Sequence, residues 1–102
     1  MSLLHTVNKS PFSKDTLLNC LAICQAKHSV LLIEDGVYGA LKSSPCREQI
    51  EQLSAMGVRF FALSADVSAR GIDENLIADV TLASDQDFVN LVVKNNVTQS
   101  WY

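Results

Sequence analysis

Ser29-Val30-Leu31-Leu32-Ile33-Glu34-Asp35-Gly36 is the stretch on which the fold turns. From Ser29 to Ile33 it is almost continuously apolar, and it closes on two acids and a glycine. A strand with one wet face alternates apolar and polar residues, whereas an unbroken apolar run marks a strand covered on both faces, as in a parallel sheet. Upstream, Leu3 to Val7 is a shorter apolar run that stops at Asn8-Lys9-Ser10-Pro11, where proline cannot donate to a ladder. Between the two runs Leu17, Leu21 and Cys24 recur at four- and three-residue spacing behind Ser13 or Asp15 as a cap. That spacing predicts an amphipathic helix ending near Lys27-His28, and so a βαβ unit.

The alternation continues downstream. A short turn or helix is expected through Val37-Tyr38-Gly39-Ala40-Leu41. Ser44 as cap with Pro45 in the first turn opens a helix whose stripe is Ile50, Leu53 and Met56, with Gly57 as its stop. Val58 to Leu63 reads as a third strand, Ser64 to Gly71 as one or two helical turns, and Val80 to Ala83 as a fourth strand. Ser84 with Asp87 three residues later forms the pattern of a capping box, opening a helix that turns Phe88, Leu91 and Val92 to the core and ends at Asn95-Asn96. The tail from Val97 to Tyr102 either adds an edge strand or crosses to a partner. The expected architecture is a single α/β domain over residues 1–102, with a mostly parallel sheet of four to five strands and helices on both faces. Active features are then expected at the carboxyl ends of the strands.

Composition narrows the function classes. With 48% hydrophobic and 19% charged residues the chain is neither disordered nor collagen-like. No apolar stretch approaches the roughly 18 residues of a membrane span. Met1-Ser2-Leu3-Leu4-His5-Thr6 lacks the basic head and cleavage site of an export signal, so a cytoplasmic location is expected. Eight Lys and Arg against eleven Asp and Glu give a net charge of −3, which disfavours direct nucleic-acid binding. The three cysteines cannot all pair and show no CxxC or Cys/His metal spacing, so reduced thiols and no metal or cofactor are expected.

Several groups are candidates for chemistry. Gly36-Val37-Tyr38-Gly39 follows two carboxylates that would repel a pyrophosphate, so Glu34-Asp35 reads as a solvated strand end with Asp35 capping the next turn. Cys24 shares the face of Leu17 and Leu21 and reads as inert core. Cys20 is rotated toward the edge of that face, within reach of solvent or a partner. Cys46, beside Arg47 at a helix N-terminus, is the thiol that elementary electrostatics favours as a thiolate. His5 falls inside a strand as a hydrogen-bonded core or interface residue, and His28 falls at a helix end on the surface. Trp101 and Tyr102 are large groups that pack either on their own chain or on a neighbour.

Taken together, Leu4-His5-Thr6 with Ser10-Pro11-Phe12, Glu34-Asp35-Gly36-Val37-Tyr38, Leu63 with Ala65-Asp66-Val67-Ser68-Ala69-Arg70-Gly71, Asp87-Phe88-Val89 and Gln99-Ser100-Trp101 resemble the DsrH/TusB family. The resemblance implies a small subunit of the DsrEFH/TusBCD sulfur-relay complex, a cytoplasmic heterohexamer with DsrE/TusD-like and DsrF/TusC-like sister subunits. That complex passes persulfide sulfur to a downstream carrier protein, in sulfur oxidation or in 2-thiolation of the tRNA wobble uridine. It also implies that Asp66 stands where the catalytic sister chain has its sulfur-carrying cysteine, which makes this chain an accessory subunit. A cysteine on the first helix is similar to the DsrH branch, and it makes Cys20 the candidate catalytic residue, an auxiliary persulfide carrier. Cys46 matches no family cysteine. The rival expectations are a purely structural assembly subunit with no sulfur-carrying cysteine and a stand-alone regulatory module that forms homo-oligomers.

Overall fold

The computed structural model describes residues 2–102, so Met1, the first residue of the leader reading, lies outside them. Among the described residues five strands run β1 (Leu3–Val7), β2 (Ser29–Leu32), β3 (Arg59–Leu63), β4 (Val80–Ala83) and β5 (Val97–Trp101). They form one sheet in the order β4-β3-β2-β1-β5 with every neighbouring pair parallel. Four α-helices, α1 (Thr16–Ile23), α2 (Arg47–Ala55), α3 (Ser64–Ala69) and α4 (Asp85–Lys94), and a 3-10 helix at Glu34–Ala40 fill the connections.

Topology explains which helix covers which face. The chain steps from β1 to β4 in one direction, and parallel crossovers are right-handed, so the helices along that path fall on one side of the sheet. The return from β4 to β5 runs the other way and leaves α4 on the opposite side. The core divides accordingly. Val7, Val30, Leu32, Phe60 and Ala62 pack with Leu17, Cys20, Leu21, Val37, Ile50 and Val67. Leu4, Leu31 and Ala83 pack with Phe61, Phe88 and Leu91 on the α4 side. Period-2 alternation therefore turns His5, with Val7, toward α1.

Local boundaries differ from the sequence reading in three places. Helix α1 stops at Ile23, because Cys24 is extended and Lys27 takes a left-handed φ of 75° that nothing in its residue type signals. Helix α2 begins at Arg47 with Cys46 as N-cap, while Ser44 closes the preceding turn by accepting the Cys46 N–H on its Oγ. Met56 and Val92, expected in the core, are exposed, because α2 and α4 each present a narrower stripe than assumed. The capping box forms as read: Ser84 Oγ accepts the Asp87 N–H at 3.1 Å, and the Ser84 N–H donates to Asp87 Oδ2 at 2.9 Å.

Gly36 is required by a close approach. A Cβ there would lie 2.0 Å from the Val7 carbonyl oxygen, so the 3-10 helix rests directly on the end of β1. Among the described residues no helix is long and apolar enough to cross a membrane.

Candidate functional site

The carboxyl ends of the strands, where activity was expected, carry an ion-pair cluster that shapes the backbone. Arg70 donates from its Nη2 to Asp35 Oδ1 at 2.9 Å and from its Nη1 to the Asp66 carbonyl at 3.1 Å, and its guanidinium lies 5.8 Å from the Tyr38 ring centre. Asp35, with Asp66 behind it, raises the Arg70 pKa. Asp66 Oδ2 accepts the Glu34 N–H at 2.8 Å, and Glu34 sits at a left-handed φ of 51°. A non-glycine residue there is strained, and the carboxylate holds it in place. Asp35 faces Arg70 instead of capping a turn.

A second group assembles on the α1 side, and spacing in the sequence did not reveal it. His5 in β1, Cys24 at the end of α1 and His28 before β2 bring one ring nitrogen each and the thiol sulfur within 4.8 Å of one another. His5 is fully buried and, as expected, hydrogen-bonded in the core, whereas His28 is half-buried instead of lying on the surface. His5 Nε2 stands 3.1 Å from His28 Nδ1, and the Trp101 Nε1–H donates to His5 Nδ1 at 3.1 Å.

Those contacts fix the protons. An indole N–H only donates, so His5 Nδ1 accepts and the His5 proton resides on Nε2. His28 Nδ1 then accepts, which agrees with its acceptance of the Gln25 N–H at 3.3 Å. A histidine that ligates a metal normally donates its other N–H to an acceptor. Here the other nitrogen of His5 faces a donor, so a metal on Nε2 would move a proton to Nδ1 and break the Trp101 bond. The donor set contains soft ligands, but its outer partner is arranged for a hydrogen-bond chain.

The thiols differ sharply. Cys20 is 0% exposed and not at the edge of its helical face, and its hydrogen bond to Cys24, followed by burial, pushes its pKa up. Cys24 is 9% exposed, and the Cys20 hydrogen bond pulls its pKa down, with His5 and His28 adding to that pull and burial opposing it. As a thiol Cys24 donates to the Cys20 carbonyl at 3.4 Å. The carboxyl end of α1 disfavours an anion by about 0.3–1 kcal/mol. Hydrogen bonds to a charged group contribute about 1.5–3 kcal/mol each, so the donors around Cys24 outweigh the helix end. Cys46 reverses the electrostatic expectation: it is buried, and burial raises its pKa, with Asp15 second. Desolvation wins there over the helix N-terminus and Arg47.

The family model described as "DsrH like protein" matches residues 9–98. The chain belongs to the DsrH/TusB family. "Protein TusB" of Photorhabdus laumondii is 32% identical over 100 residues, covering 97% of this chain and 100% of that protein. "Protein TusB" of Erwinia tasmaniensis is 33% identical and that of Escherichia coli K12 30% identical, each over 99 residues with the same coverage. The fold is shared with the ychN protein of E. coli, at a TM-score of 0.89 over 98% of both chains with 16% identity. It is shared too with a Methanobacterium thermoautotrophicum protein of unknown function, MTH1491, at 0.78 over 97% of both with 21% identity. The family resemblance read from the sequence and the expected parallel α/β sheet therefore both hold.

Proposed function

We propose that this DsrH/TusB member is an accessory subunit of a cytoplasmic sulfur-relay complex, passing persulfide sulfur between carrier proteins alongside DsrE/TusD-like and DsrF/TusC-like sister chains. The observation that carries the reading is the match to proteins named TusB, which covers 97% of this chain and 100% of those proteins. The TusB relatives favour tRNA wobble-uridine 2-thiolation over sulfur oxidation as the destination. The exposed apolar face of α4, with Val89 54% and Val93 80% open, supports a heteromeric assembly such as the heterohexamer. Asp66 holds the Glu34 backbone, which supports a non-carrying role for that position. Cys20, the auxiliary carrier candidate, is buried as a thiol, and a carrier role there requires α1 to open; its burial speaks for the assembly reading.

Co-expression with the two sister chains tests the proposal. A ternary complex that elutes as one species and moves sulfur from a persulfide donor to a carrier protein is expected. A chain that elutes alone, or as a homo-oligomer in the presence of both sisters, would sink it.

A further inference from the structure

The Trp101–His5–His28 hydrogen-bond chain on the α1 face stands beside a sulfur, that of Cys24, which neither the family match nor the strand-end cluster accounts for. Trp101 donates to His5 Nδ1 and so keeps the His5 proton on Nε2, the nitrogen 3.1 Å from His28 Nδ1, and the Cys24 sulfur lies within 4.8 Å of a ring nitrogen of each histidine. Cys20, one helical turn before Cys24, accepts the Cys24 thiol on its carbonyl oxygen at 3.4 Å, and its own thiol lowers the Cys24 pKa. Of these two thiols Cys24 is the one with an opening to the surface, beside exposed Gln25, Ala26 and Lys27. Cys24 is therefore the less buried of the two thiols and the one grouped with both histidines.

We propose that Cys24 is the nucleophile in this chain that accepts sulfane sulfur, with Cys20, His5 and Trp101 as positioning residues. The inference rests on the relay reading for its substrate class, a protein or small-molecule persulfide. The Cys24 sulfur attacks the outer sulfur of R–S–SH, a new S–S bond forms, and the donor's S–S bond breaks with its electron pair leaving on R–S⁻. The outer sulfur keeps its proton, and the proton lost by the Cys24 thiol reaches the departing thiolate through water. Overall, Cys24–SH and R–S–SH give Cys24–S–SH and R–SH, with no external oxidant or reductant. Zinc binding at His5, Cys24 and His28 is the rival occupant, and it requires the Trp101 bond to break.

Glutathione persulfide, incubated anaerobically with the whole chain, is the probe. Intact-mass and peptide analysis is expected to place one added sulfur on Cys24 in the wild type, one added more slowly on Cys24 in Cys20→Ser, and none in Cys24→Ser. Sulfur mapped to Cys20 or Cys46, or no uptake, overturns the proposal. Iodoacetamide mapping of the wild type covers the case in which Cys24→Ser fails to fold: Cys24 should be alkylated at least tenfold faster than Cys20 and Cys46 at pH 7, and equal rates overturn it. Trp101→Phe should move the pH midpoint of Cys24 alkylation upward, a shift that loss of packing alone does not produce; an unmoved midpoint removes Trp101 and His5 from the positioning role. Protection of Cys24 by zinc alone, at stoichiometric concentration, assigns the group to the metal instead. If the chain joins its sisters and the relay runs at full rate with Cys24→Ser, the inference fails while the relay reading stands. Sulfur uptake at Cys24 in a chain that joins no sister would fail the relay reading and leave the site.

Discussion

His5 shows how one side chain's meaning depends on residues far from it. A histidine on a buried strand costs free energy unless both ring nitrogens find partners, and here Trp101 and His28 supply them. Trp101→Phe should therefore cost about 0.5–1.5 kcal/mol of unfolding free energy, read by denaturant titration, beyond any loss of packing. The Trp101 result also decides between the two expectations for the tail: its indole packs back on its own chain. The sequence showed His5 as buried and hydrogen-bonded but could not show with what. Positions 5, 24 and 28 fit no local ligand spacing, and only the parallel pairing of β1 with β2 sets His28 beside His5. The usable signal was Cys24 and His28 four residues apart behind an α1-facing histidine on the neighbouring strand. Cys46 departs from the electrostatic expectation because its burial outweighs the helix N-terminus beside it.

Among the elements, the 3-10 helix and α4 are most exposed to single changes. Gly36→Ala drives a Cβ into the Val7 carbonyl, and since backbone cannot rotate away like a side chain, we expect a loss of about 1–3 kcal/mol or more, visible as a lowered Tm. Helix α4 buries no residue fully, so its capping box matters more than usual. Ser84→Ala should cost about 1 kcal/mol and increase amide exchange in the first turn of α4. The Ser84 N–H donated to the Asp87 carboxylate, with the Ser84 side chain second, holds the Asp87 pKa below the ordinary 3.8. A depressed carboxyl pKa stabilises the fold above that ordinary value, and the contribution fades as pH falls through the lower folded value. Fraying of α4, followed by amide exchange, should accordingly begin only below about pH 4. Strand positions were legible because the apolar runs are long and their stops are polar, as at Glu34-Asp35-Gly36. The end of α1 was not, because Lys27 adopts a positive φ without a glycine or asparagine to announce it.

At the scale of the whole molecule, the two sheet faces are unequally covered. Three α-helices and the 3-10 helix protect one side, while α4 alone lies across the other and leaves Leu82, Val89 and Val93 open. Right-handed crossovers make this asymmetry a consequence of strand order, and the step that decides it, β5 beside β1, does not follow from any local pattern of the sequence. Val93→Asp tests whether that face is an interface. It should leave the Tm of the isolated chain within a few degrees, because the side chain is solvent-facing, and weaken assembly with the sister subunits at least tenfold by size-exclusion or sedimentation. Unchanged assembly would move the interface elsewhere.

The Trp101-to-His5 hydrogen bond spans 96 residues, nearly the whole length of the chain. At a synthesis rate of about 5–20 residues per second, His5 is made roughly 5–20 seconds before the indole that sets its proton. During that interval β1 has no β5 at its edge, and a nascent chain released short of Trp101 lacks the proton arrangement around Cys24 altogether. The proposed tuning of Cys24 thus becomes a clock: its hydrogen-bond arrangement forms only when translation has reached the last strand.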